Sequence, residues 1–176
     1  MKTILKVLGI IFLIVVAYGV IAMLVFDKNY HYEKSIVINA PQEKVWQHTG
    51  SLKAYNVWDP FSKADKNVKI TYSGTSGEVG DSYHWKGNSD VGEGKQTVTE
   101  VITNEKMVTK LQFIEPWQGF ATATFTLAPE GNGTKVTWAM DNELTPMMKL
   151  MKPMMDMQMN KMFEQGLGNL KKISEN

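Results

Sequence analysis

Chemistry by side chains needs a nucleophile, a base or a metal set, and this 176-residue sequence offers few candidates at useful spacing. Cysteine is absent, which excludes disulfides, thiolate nucleophiles and cysteine zinc sites together. His31 follows an apolar N-terminal run, His48 falls at a helix end, and His84 stands opposite Tyr83 and Trp85 on a strand. No two of them have metal-ligand spacing, so no metal site is expected. His84 could act as a base if Asp81, Glu93 or Glu100 oriented it; the alternative is a solvated strand residue. Gly87 and Gly92 have the separation of phosphate-loop glycines, but Glu93 stands where the lysine is required. The cluster therefore reads as a hairpin loop, with Gly92, Glu93 and Gly94 as an expected entrance loop, and nothing calls for a cofactor.

The remaining candidates are apolar. Tyr83, Trp85, Leu111, Phe113, Phe125, Trp138 and Met140 fall on alternating strand positions that can face Met148, Met151 and Met155. With Trp58 they form an expected ligand pocket, apolar with a few polar tips. The competing reading is that the same residues fill an ordinary core. The run from Met147 to Met162 has three readings: a core stripe at helical spacing, an adaptable lid of unbranched thioethers, or a copper(I) site.

The elements that would position these residues follow from periodicity. Ile36 and Ile38 mark a half-buried strand, Pro41 opens a helix, and Ser51 caps a second short one that Asp59-Pro60 closes. From Val68 to Glu143 six strands alternate with connections rich in turn formers, which implies an antiparallel meander. One connection is expected over Gly87 to Gly94 and another over Pro129 to Gly133. Thr145 caps a long last helix carrying Met148, Met151, Met155, Met159, Met162, Gly166 and Leu170 on one face, with a kink or restart expected at Pro153. The fold class is α+β, the final helix lying across one face of a curved antiparallel sheet.

Before this domain, Val7 to Phe26 (VLGIIFLIVVAYGVIAMLVF) carries no charge and as a helix spans about 30 Å, the thickness of a bilayer core. We expect a membrane anchor over residues 1–30, its transmembrane helix at about 7–26, and a globular domain over 31–176. A cleaved signal peptide is the alternative; the apolar run continues past Ala17, Gly19 and Ala22, longer than such a signal needs. A cytoplasmic N-terminus, requiring only ordinary export, places the domain on the extracytoplasmic side, although Lys2 and Lys6 against Lys28, Lys34 and Lys44 give no clear asymmetry. Nineteen basic residues offset eighteen acidic ones without a basic stripe, and arginine is absent, so nucleic acid is not an expected partner.

Four segments carry a resemblance to a known superfamily. They are Ser35 to Pro41 with Val45-Trp46; Leu52 to Tyr55 with Trp58 to Phe61; Thr71 to Gly74 running on through Val79-Gly80-Asp81 to Trp85 and Val91-Gly92; and Phe163 to Leu167 with Asn169 to Lys171. In order and spacing the chain resembles the SRPBCC superfamily, the START-like or helix-grip fold, and within it the polyketide cyclase/dehydrase-like group. The resemblance implies a cavity between sheet and C-terminal helix for lipids, sterols, polyketides or similar apolar ligands. Three functions then compete: a membrane-tethered binding or carrier domain, a cyclase/dehydrase enzyme using groups such as Tyr83, His84 or Asp141, and an interaction domain resembling the chaperone-activator branch. The last would have a filled core and an exposed apolar patch.

Overall fold

The structure, a computed structural model, describes residues 2–176; Met1 of the expected anchor lies outside them. An apolar helix α1 (Lys2–Val25) leads through three residues into strand β1 (Asn29–Ile38). Two short helices follow, α2 (Gln42–Thr49) and α3 (Leu52–Trp58). Pro41 serves as the N-cap of α2, one place earlier than expected, and the Ser51 hydroxyl accepts from the Ala54 N–H to cap α3.

Strands β2 (Lys69–Ser73), β3 (Ser82–Lys86), β4 (Glu93–Ile102), β5 (Lys106–Glu115), β6 (Gly119–Glu130) and β7 (Gly133–Glu143) form the meander. Strand β1 joins at its far edge, so one antiparallel sheet runs β1-β7-β6-β5-β4-β3-β2. Alternation decides which face is inward: Ala121, Ala123, Phe125 and Leu127 are buried in β6, while the residues between them are exposed or half-buried. The expected turn from Pro129 to Gly133 contracts to Gly131-Asn132, because β6 continues through Pro129, which pairs in register with Thr134.

The last element is α4 (Pro146–Ser174). Thr145 caps it by accepting from the Met148 N–H. The helix continues through Pro153, so the expected restart does not occur. Its C-terminal half buries Phe163, Gly166, Leu167 and Leu170 against the sheet. There the Trp138 indole stacks on Phe163, and Trp58 and Phe125 meet Trp138 edge-on or tilted, each at 5.4 Å between centroids. This aromatic block fills one end of the space between helix and sheet.

Candidate ligand cavity

At the other end helix and sheet enclose a cavity of about 630 Å³, closed on the β1 side by the Tyr30 hydroxyl donating to Asp156 (2.9 Å). Its walls come from alternate inward positions: Tyr83 and Trp85 on β3, Phe113 on β5, Ala121 on β6 and Met140 on β7. Met148, Met155, Met159 and Met162 of α4 face them. Met148 and Met155 lie seven residues apart, nearly two full turns, and so share a face.

Of the expected pocket residues, Tyr83, Trp85, Phe113, Met140, Met148 and Met155 thus surround one space. Five do not line it. Trp58, Phe125 and Trp138 are fully buried in the aromatic block, because α3 brings Trp58 onto the inner sheet face and leaves no room there. Leu111 packs with Ala121, Ala123 and Met140 in a smaller apolar cluster. Met151 is 42% exposed, since a step of three residues from Met148 turns it about 60° off the shared face.

The expected entrance loop also shifts. Asp90 and Val91 reach the cavity, whereas Gly92 and Glu93 border a separate shallow depression with Lys86 and Pro116. Glu93 and Gly94 already belong to β4, paired with Lys86 and Trp85. Gly94 has a packing reason: an added Cβ would overlap the Trp85 indole, which lies across it. The loop itself turns at Gly92 with φ +67° and is held by the Asn88 N–H donating to Asp65 (2.8 Å).

His84 points away from the cavity, its Nε2 2.9 Å from Glu93, which also accepts from Lys86 at 2.5 Å. Lys86 first, and His84 second, hold the Glu93 carboxyl below its ordinary range. Asp81 is a structural acceptor for the Leu52 and Gly77 N–H groups. Asp141 is on the outer face with His31, Nδ1 to Oδ1 2.6 Å, and this bond raises the His31 pKa. Among the described residues no three His, Asp or Glu side chains are arranged to hold a metal.

Two polar groups in the cavity wall have buried partners, and of these only Asp59 is absent from the pocket residues expected from the sequence. Asp59, 1% exposed, accepts from the Tyr55 hydroxyl (2.8 Å) and from the Phe61 and Ser62 N–H groups (3.1 and 2.9 Å). Burial pushes its carboxyl up although the backbone donors pull it down. In sequence Asp59-Pro60 reads only as the close of a helix; the adjacent Trp58 and Phe61 were the available signal that this close is buried. The other is Tyr83, whose hydroxyl donates to Gln96 (2.9 Å), which donates to Thr109 (2.8 Å), which donates to the Ala123 carbonyl (3.2 Å). That chain is complete, so Tyr83 offers the cavity its ring.

A seven-stranded antiparallel sheet gripping a long C-terminal helix over an apolar cavity defines the helix-grip class, in the SRPBCC superfamily. Residues 30–175 match the model of one family within it, described as polyketide cyclase / dehydrase and lipid transport, and the chain belongs to that family. Both the family and the fold are those of ligand-binding domains. No curated protein sequence matches the chain. Among solved structures it is similar to a protein from Chromobacterium violaceum (16% identity, TM-score 0.60), covering 83% of this chain and 97% of that one. A protein from Thermobifida fusca is similar at 17% identity and TM-score 0.62 (82% and 92% covered). The Aha1 dimer from Colwellia psychrerythraea follows at 22% identity and TM-score 0.56 (83% and 96% covered). At these identities the likeness is one of fold.

Helix α1 is long and apolar enough to cross a membrane over Thr3–Val25. A signal sequence would meet the same test.

Proposed function

We propose that this chain is a membrane-tethered binding or carrier domain for a hydrophobic small molecule of the lipid, sterol or polyketide type. The observation that carries the reading is the cavity. Its volume falls in the range of small-molecule sites, and its wall is apolar apart from a few tips such as Asp59 and Asn142. Such a space, left open between well-packed elements, is more than packing statistics allow for an ordinary core. Helix α1 would hold this cavity beside a reservoir of apolar ligand, which raises the local concentration. With α1 as an uncleaved anchor and its N-terminus cytoplasmic, the domain is extracytoplasmic.

The test is mass spectrometry of an organic extract of the purified full-length chain, compared with the Ala121→Trp variant. Ala121 is on the cavity wall, and an indole there occupies the ligand volume without touching α1. A compound present in the parent and lost from the variant is the cavity ligand. Identical extracts from two folded proteins would remove the carrier reading, because lipids held by α1 alone do not depend on residue 121.

One observation favours the enzymatic alternative. Asp59 is a buried carboxyl in the cavity wall with its pKa raised, the state in which a carboxylic acid can deliver a proton. If the protein is a cyclase or dehydrase, Asp59 and Tyr55 are the groups we assign to proton transfer, in place of His84 and Asp141 on the outer face. Production of a new compound from an added polyketide-like substrate, abolished in Asp59→Asn, would separate this reading from simple binding. The chaperone-activator alternative expects a filled core and an exposed apolar patch; the cavity counts against it, while exposed Trp117 and Phe120 are compatible with it.

A further inference from the structure

The domain carries large apolar side chains on its surface; Val37, Val57, Tyr72, Val79 and Ile102 are dispersed, but others fall together. In the β5–β6 hairpin Trp117 is 79% exposed and Phe120 59%, and along the outer side of α4 Met147, Met151 and Met154 are exposed as well. The register places them at one end of the sheet. Asn29 pairs with Glu143, Ala121 with Asn142, Phe113 with Gly119, and Glu93 with Glu115, so β1 begins at the end where the Trp117 hairpin turns and where α4 starts. The turns at the opposite end are polar, Asn104-Glu105 and Gly131-Asn132, with Val79 and Ile102 the large apolar exceptions. The cavity reaches the first end, where Tyr30, Phe113 and Met148 line it.

That same end faces the anchor at short range. Only Phe26, Asp27 and Lys28 separate α1 from β1, a reach of about 10–14 Å fully extended. The link is also pinned: the Lys28 carbonyl accepts from the Leu144 N–H (2.7 Å), and Asp27 accepts from the Asn29 N–H (2.8 Å). Helix α1 touches α4 directly, the Tyr18 hydroxyl donating to the Leu150 carbonyl (2.7 Å) and the Lys152 ammonium lying 5.6 Å from the Phe26 ring. A bilayer around α1 therefore lies beside the first turns of α4 and the start of β1, at the same end of the sheet as the Trp117 hairpin.

We infer that Trp117 and Phe120, with the outer methionines of α4, form a second membrane contact that seats the cavity mouth on the bilayer surface. The inference rests on α1 being a membrane span. An indole with an apolar body and an N–H suits the headgroup level, and the Lys110 ammonium, 4.7 Å from the Phe120 ring centroid, can extend to water or phosphate. Acidic and basic side chains intermix at this end (Lys28, Lys110, Lys152; Asp27, Glu115, Glu143), so the contact is apolar and neutral lipid suffices. Its consequence is functional: an apolar ligand passes between bilayer and cavity without crossing water.

The chain has no cysteine, so single cysteines can be placed at will. Full-length Leu13→Cys, Trp117→Cys and Asn132→Cys are spin-labelled, reconstituted into phosphatidylcholine vesicles and read by collision with oxygen against a water-soluble nickel chelate. We expect the label at 13 to report bilayer depth, the label at 132 to report water, and the label at 117 to have an oxygen-to-nickel ratio several-fold above that at 132. A label at 117 that matches 132 while 13 is embedded overturns the second contact and leaves the anchor intact. If 13 also reads as water, the anchor falls and the contact with it. A label at 117 shielded from both reagents, and freed by diluting the protein in lipid, replaces the bilayer with a second copy of the chain and likewise overturns the inference.

Discussion

The Trp138 indole lies flat against the Phe163 ring, centroids 4.0 Å apart and planes within 12° of parallel. This contact joins the sheet to α4 and is possible because Gly166, one turn further along the helix, has no side chain. A Cβ at Gly166 would stand 2.8 Å from the Trp138 ring and 3.1 Å from Pro60. Gly166→Val is therefore expected to destabilise by about 1–3 kcal/mol through overpacking, seen as a lower Tm. An unchanged Tm would mean that helix and sheet can separate here at little cost.

Strand alternation identifies the inward face of this sheet correctly, and that is why Tyr83, Trp85, Phe113 and Met140 meet around one space. Alternation is blind to what arrives on that face from elsewhere. Trp58 comes from α3 and Phe163 from α4, and their packing converts Phe125 and Trp138 from wall to core. Met151 was misplaced because a step of three residues does not return to the same helical angle, an error that matters at the margin of a stripe. Asp59 was missed for a different reason: a helix-closing Asp-Pro is usually solvated, and only tertiary packing buries this one.

Tyr83 separates stability from ligand binding. Its hydroxyl begins a buried chain through Gln96 and Thr109, while its ring faces the cavity. Tyr83→Phe keeps the ring and leaves the Gln96 oxygen without its donor, a loss of about 1–3 kcal/mol. Denaturant unfolding should show that loss while the extracted ligand content stays at the parental level. Loss of ligand at unchanged stability would place the hydroxyl in recognition instead.

Asp59 gives the fold a pH dependence of definite sign. Its pKa is raised in the folded state, so there the folded chain holds more protons than the unfolded one. The Asp59 contribution is then full below the unfolded value of about 4 and declines as pH rises through the folded value. Comparing Tm with that of Asp59→Asn across this range cancels the other titrating groups. The parent should lose Tm relative to the variant as pH rises; a constant difference would contradict the raised pKa.

On the outer face His31 and Asp141 form a partly exposed pair whose hydrogen bond raises the His31 pKa. Its stabilisation is present below about 6.5 and is lost as pH rises through the folded value. Asp141→Asn should return the His31 titration toward its ordinary position by NMR, at a stability cost within about 1 kcal/mol because the pair is solvated. A His31 curve unmoved by the substitution would assign the shift to Glu33, 3.5 Å from Nε2.

The Tyr18 hydroxyl, donating to the Leu150 carbonyl at 2.7 Å, braces α4, whose Met148 and Met155 line the cavity. Pro153 has no N–H, so it cannot donate to the Lys149 carbonyl, and α4 lacks one rung of its hydrogen-bond ladder where it covers the cavity. The Tyr18 hydroxyl supplies a donor at the neighbouring Leu150 carbonyl, and Ala22 lies fully buried on the same helix. Tyr18→Phe removes that donor while keeping the ring. In phosphatidylcholine nanodiscs the amides of residues 147–156 should exchange hydrogen several-fold faster in the variant, while those of 163–170, held by the aromatic block, keep the parental rate. Parental exchange in both segments would show that α4 holds its shape without the Tyr18 hydroxyl.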